Sequence, residues 1–128
     1  MTKQLLRQSA AALKTQFFNI DNGAGVTVDE VVFKASARGA HLVRVYALYG
    51  EATGTVAAGN FRVGSTAGGA QYVAATAYEN GKAVGDATEG VIISDAVPPN
   101  GTVFVRHTGV AATPTGTASI VIEYVDNQ

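Results

Sequence analysis

The chain has 128 residues, enough for one domain with a terminal arm and too few for a two-domain enzyme. Hydrophobic residues make up 47% of it, but 22 are Ala and 17 are Val; with 15 Gly and 13 Thr, this suits short strands and tight turns rather than long helices. Only 15% of residues are charged and the formal net charge is −1, which argues against a dedicated nucleic-acid binder and points to a surface partly covered by a partner.

Residues 1–14 stand apart, because Lys3, Arg7 and Lys14 are their only charges and no acidic residue precedes Asp21. Leu5, Leu6, Ala12 and Leu13 recur at helical spacing, but so short a segment needs a docking surface to be ordered. The expected division is a basic N-terminal arm over 1–14 and a single β-sandwich domain over 15–128. An arm that binds a partner would use Lys3, Leu5, Leu6, Arg7 and Leu13; the alternative is a short helix covering its own domain.

From residue 15 the pattern becomes β. Residues 15–20 carry Phe17 and Phe18 and run into the turn signal Asp21-Asn22-Gly23-Ala24-Gly25. Residues 26–34 follow, and the parity of their Val and Phe positions changes near Asp29-Glu30, which predicts a bulge or short turn there.

Residues 41–49 are the clearest central strand. Strict alternation puts Leu42, Arg44, Tyr46 and Leu48 on one face, and His41, Val43, Val45, Ala47 and Tyr49 on the other. Both faces are largely apolar, so one is expected in the core and the other against a second layer or a neighbouring subunit, with the first set as the candidate subunit interface.

Shorter strands are expected at 59–63 and 71–78 around an exposed glycine-rich loop over 64–69. Asn80-Gly81 is a strong hairpin signal, with a partner strand starting at Lys82. Strands over 90–94, 102–108 and 118–125 complete the set, separated by the connection 97–101 with its two prolines and by 109–116. Eight or nine strands and no helix-length pattern after residue 14 predict an all-β fold. The expected architecture is an antiparallel sandwich, jelly-roll-like rather than immunoglobulin-like.

The chemistry-bearing residues are sparse. The absence of Cys excludes disulfides, thiolate metal sites and thiol catalysis. His41 and His107 come without an adjacent third ligand, so no metal or other cofactor is expected. Ser94, Asp95 and His107 form a triad only on paper, because no nucleophile-elbow sequence surrounds the serine. The glycines match no phosphate-loop spacing and precede no helix. Arg44, Arg62, Arg106 and Glu123 interrupt apolar strands and should face solvent or pair with opposite charges. The five tyrosines offer a sugar-stacking platform, but their spread over several strands suits the core edge or a protein interface at least as well. No apolar run reaches the roughly 20 residues that span a bilayer, and no cleavable signal opens the chain, so synthesis in the cytoplasm and no membrane contact are expected.

Residues 90–108, with Pro98-Pro99-Asn100-Gly101, and the final strand ending Glu123-Tyr124-Val125 resemble the small virion proteins of tailed bacteriophages, nearest the capsid cement or decoration proteins. The resemblance covers roughly residues 70 to 126 and is carried by strands rich in Ala, Gly, Thr and Val, with no diagnostic motif. It implies a β-sandwich, often a homotrimer, that binds the major capsid protein on the virion surface and stabilises the shell without catalysis. Two other readings stay open, a carbohydrate- or receptor-binding sandwich and a tail or baseplate component.

Overall fold

A computed structural model describes residues 13–20, 27–50, 59–79, 81–108 and 118–127. Its regular elements are all strands: β1 (Lys14–Ile20), β2 (Thr27–Lys34), β3 (Ala40–Tyr49), β4 (Asn60–Gly64), β5 (Val73–Ala77), β6 (Ala87–Glu89), β7 (Ala96–Val97), β8 (Thr102–Thr108) and β9 (Ala118–Asp126). They form two antiparallel sheets, ordered β1-β9-β3-β6 with β7 also on β3, and β2-β8-β4-β5. The fold is the all-β antiparallel sandwich that the composition and strand spacing predict.

The inner faces follow from period-two patterning. In β8, Val103, Val105 and His107 are buried while Thr102, Phe104, Arg106 and Thr108 are half-buried. In β9, Ile120, Ile122 and Tyr124 enter the core, where they meet Phe33, Val45, Phe61, Val63, Val103 and Val105 from both sheets. The Phe33 and Tyr124 rings stack face to face with centroids 3.8 Å apart, so one aromatic pair joins β2 of one sheet to β9 of the other. Gly90 makes a second close approach: a Cβ there would lie 2.8 Å from a Val73 methyl and 3.2 Å from the Phe61 ring. No larger residue fits without shifting the core.

The pairing is nested. β1 pairs β9, β2 pairs β8, β3 pairs β6 and β4 pairs β5, as in one long hairpin rolled into two sheets. Among the described strands only β4 and β5 are sequence neighbours that pair, and the predicted loop over 64–69 joins them. In every other described pair the two strands are separated in the chain by at least two further strands, so most of this fold consists of long-range contacts.

Four details differ from the sequence reading. The first irregularity in β2 falls between Val31 and Phe33, not at Asp29-Glu30. The second is a bulge in β3 between Leu42 and Arg44, which no turn residue announces. It reverses the strand's parity: Ala40 and Leu42 point inward before it, Val45, Ala47 and Tyr49 after it. Leu42 is therefore in the core at 4% exposure and does not share a face with Arg44, Tyr46 and Leu48. The third is the Asn80-Gly81 signal, whose Asn80 lies outside the described residues. The chain after Gly81 leaves the β4–β5 sheet and pairs with β3 as β6, so β5 and β6 are not a hairpin. The fourth is residues 90–94, which form a single bridge from Ile92 to Val73 rather than a strand.

Candidate functional surfaces

The root of the arm is the first place to look for contacts. Lys14 is already strand β1, paired with Tyr124, and its ammonium donates to the Asp126 carboxylate at 2.7 Å. That bond, joined by the Ser36 N–H at 3.1 Å, holds the Asp126 carboxyl below the usual carboxylate range. Leu13, immediately before it, is exposed at 51%. Lys3, Leu5, Leu6 and Arg7 lie outside the described residues.

The outer face of the first sheet carries Arg44, Tyr46 and Leu48 of the expected interface set, without Leu42. Phe17, Val121, Tyr46 and Glu89 form one row across β1, β9, β3 and β6, while Thr15, Glu123 and Arg44 form the next. Alternation places Val121 outward, opposite to Ile120 and Ile122, yet it is fully buried. Arg44 is satisfied locally: its Nε donates to Glu89 Oε1 at 2.7 Å, its Nη1 lies 3.9 Å from Glu123, and its guanidinium carbon sits 3.9 Å above the Tyr46 ring. The mid-strand charges Arg44 and Glu123 thus pair across the sheet, as a half-exposed strand requires.

The outer face of the second sheet holds a second charge cluster. Arg106 donates twice to Asp29, at 2.7 and 2.6 Å, a two-pronged bond between neighbouring strands β8 and β2. The Arg106 hydrogen bond is the main reason the Asp29 carboxyl is held low, with help from the Gly68 N–H and the Arg62 charge. Arg62 stands directly opposite Arg106 on β4, and its Nε is buried without a hydrogen-bond partner. Gly68, in the left-handed region at φ +74°, lies against this cluster, and a Cβ there would come within 2.5 Å of the Arg106 guanidinium carbon. The loop after β4 is thereby seated on Arg106.

The third cluster closes one end of the sandwich. The Tyr49 hydroxyl and Thr88 Oγ1 are 2.7 Å apart, Thr88 donates to Glu79 at 2.8 Å, and the Glu79 N–H donates to the Tyr49 oxygen at 2.9 Å. This ring of three fixes the passage from β5 to β6 against β3. Its members are 30 and 39 residues from Tyr49 in the chain, so no local pattern announces it. Beside it, the Tyr78 hydroxyl meets His107 Nδ1 at 2.8 Å. Burial pushes the Tyr78 hydroxyl up and the His107 imidazolium down from their ordinary values.

His107 gives a pH dependence with a definite sign. Below about pH 6.5 the unfolded chain protonates this residue while the folded chain resists doing so. Stability is therefore complete above that value and declines as the pH falls through it towards the lower folded value. The thermal midpoint is expected to drop between pH 7 and pH 5.5, and His107→Gln is expected to flatten that part of the curve. Asp29, Glu79 and Asp126 have lowered values and act at lower pH, below about pH 5. A midpoint that is flat from pH 7 to 5.5 in the unaltered chain would overturn this assignment.

The residues of the paper triad go to different places. His107 is buried on β8 with Tyr78, whereas Asp95 is exposed and has His41 as its histidine, 3.8 Å away. No group of three His, Cys, Asp or Glu side chains capable of holding a metal occurs among the described residues. Among the same residues, no helix is long and apolar enough to cross a membrane.

No protein-family model matches the chain, and no curated protein sequence matches it. A solved structure does match: a chain of a cyanophage Pam1 capsid asymmetric unit. The likeness covers 90% of this chain and 85% of that one, with a TM-score of 0.54 and 20% identity. The fold is shared. At that identity the correspondence is one of strand arrangement.

Proposed function

We propose that this chain is a non-enzymatic structural protein of a phage virion that binds the outside of the capsid and stabilises it, as cement and decoration proteins do. The observation that carries the reading is the likeness over 90% of the chain to a protein of a phage capsid asymmetric unit. Two features support it independently. The nested strand pairing favours the jelly-roll-like arrangement, an architecture common in viral capsid domains. The low charge and the exposed apolar side chains suit a surface that is covered in an assembly.

In this reading the partner is the major capsid protein, the working unit is a homotrimer, and the site of action is the virion surface. The arm residues Lys3, Leu5, Leu6, Arg7 and Leu13 supply the anchor. Neither nucleic acid nor membrane takes part, and no cofactor is needed.

The test is to incubate the purified chain with empty capsids of the cognate phage and to image them by electron microscopy. Regular extra density on the outer shell, and capsids that withstand a higher temperature, are expected. Capsids that stay bare at saturating protein would overturn the reading. Density on a tail or baseplate would replace it with the tail assignment.

A further inference from the structure

Three buried polar side-chain atoms among the described residues have no hydrogen-bond partner: Asn60 Oδ1, Arg62 Nε and Thr108 Oγ1. All three fall in one place. Asn60 stands opposite Thr108, and Arg62 opposite Arg106, on the adjoining strands β4 and β8. Their chain neighbours Phe61, Val63, Val105 and His107 are buried, so alternation puts these four side chains together on the outer face of the second sheet. Residues directly across a strand pair are about 5 Å apart and successive rows on one face about 7 Å, which makes the block about the size of one amino-acid residue.

On its own the block is costly for the folded chain. Like charges directly opposite each other on a sheet repel, and a buried N–H of a charged group without an acceptor forfeits its hydration. Asp29, the carboxylate on this face, relieves one side of it, because both its oxygens are taken by Arg106. The loop over 65–72 carries no charged residue. Edge strand β5 brings only small side chains beside β4: Ala77 is in register with Asn60, and Ala74, Ala75 and Ala77 are all exposed. Two arginines against one aspartate leave a charge of +1, and the alanines leave Arg62 open to approach from that edge.

We propose that this block binds one acidic residue of a polypeptide, its carboxylate on Arg62 and a peptide N–H on Asn60 Oδ1. Each orphaned atom then has a partner of the right kind. The Arg62 Nε–H donates to a carboxylate oxygen in a charge-assisted bond, the Thr108 hydroxyl donates to the same group, and Asn60 Oδ1, an acceptor, receives the N–H. A free carboxylate such as acetate brings no donor and leaves Asn60 Oδ1 unpaired. One negative charge balances the +1 of the face, whereas doubly charged phosphate exceeds it. Arg106 keeps Asp29 throughout. The site belongs to the isolated chain and does not depend on the capsid reading.

Titration of the full chain at neutral pH, followed by heteronuclear NMR, tests it. The probe is an end-blocked Gly-Glu-Gly peptide; acetate, phosphate and an end-blocked Gly-Gln-Gly peptide are run beside it at equal ionic strength. The Arg62 Nε–H signal and the backbone amide signals of residues 60–62 and 106–108 report binding, and the Nε–H of Arg38, an exposed arginine on the β2–β3 turn, is the internal control. The Glu peptide is expected to give shifts that saturate at Arg62 and not at Arg38, and to bind more tightly than acetate. Phosphate and the Gln peptide should give no saturation. In the amide signals, Arg62→Gln should abolish binding and Thr108→Val should weaken it several-fold. Circular dichroism reports folding, and Arg62→Lys, which keeps the charge but lacks Nε, replaces Arg62→Gln if the latter unfolds. Equal responses at Arg38 and Arg62, no saturation with the Glu peptide, or unimpaired binding by the Arg62 variant would each overturn the proposal. So would equal affinity for acetate and peptide, which would reduce the ligand to a free carboxylate, and saturation by phosphate.

Discussion

Phe61→Ala is expected to cost about 3 to 5 kcal/mol of stability, the range for removing a fully buried Phe from a packed core. For a domain of this size that is a fall of about 10 to 20 °C in the thermal midpoint. Phe61 is fully buried, lies 5.7 Å centroid to centroid from Tyr78, and is approached by Gly90 across the gap between the sheets. Strand β4, which carries it, has only five residues, so the backbone shifts needed to close the cavity are limited by pairing on both sides to β8 and β5. Phe17 makes the contrast: the same change on an edge strand, at 60% exposure, should alter stability by less than about 0.5 kcal/mol. Urea denaturation of both variants in dilute solution checks the pair. Equal losses at the two positions would mean that the core is not centred where the burial places it.

Strands were legible in the sequence where alternation and turn residues agreed. The span 102–108 is β8 without adjustment, because Val103, Val105 and His107 alternate with polar or half-buried neighbours between Gly101 and the residues that follow. The span 41–49 is β3 to within one residue, and its apolar character on both faces is real. What the sequence does not display is the bulge at Val43, since a bulge inside an apolar strand changes parity without needing Gly or Pro. Leu42 passed from outer face to core for that single reason. The Asn80-Gly81 signal misled for a related one: a turn motif fixes the local reversal, but the partner of the next strand is chosen by non-local pairing. Here β6 has three residues and finds β3 instead of β5.

The charged surface was half legible. A mid-strand Arg or Glu must be paired or solvated, so Arg44, Arg106 and Glu123 could be singled out before any partner was known. Their partners Glu89 and Asp29 sit 45 and 77 residues from Arg44 and Arg106, distances at which spacing carries no information. The ring of Tyr49, Thr88 and Glu79 was invisible for the same reason.

Deleting residues 2–12 is expected to leave the domain folded and to lower its affinity for the capsid by roughly 100-fold or more. The folding half follows from what remains: Lys14 keeps its bond to Asp126, and β1 keeps its full register against β9. The affinity half rests on magnitudes. Leu5 and Leu6 each contribute about 1.5 to 3 kcal/mol if buried in the shell, against about 0 to 1 kcal/mol for each exposed pair made by Lys3 or Arg7. Two buried leucines thus reach the roughly 3 kcal/mol that corresponds to a 100-fold change. Leu5→Ala with Leu6→Ala should therefore weaken binding more than Lys3→Ala with Arg7→Ala, and added salt should matter only modestly because it screens the smaller contribution. A truncated chain that decorates capsids as tightly as the full one would remove the arm from the anchor. A truncated chain that unfolds would assign residues 2–12 to the domain's own core.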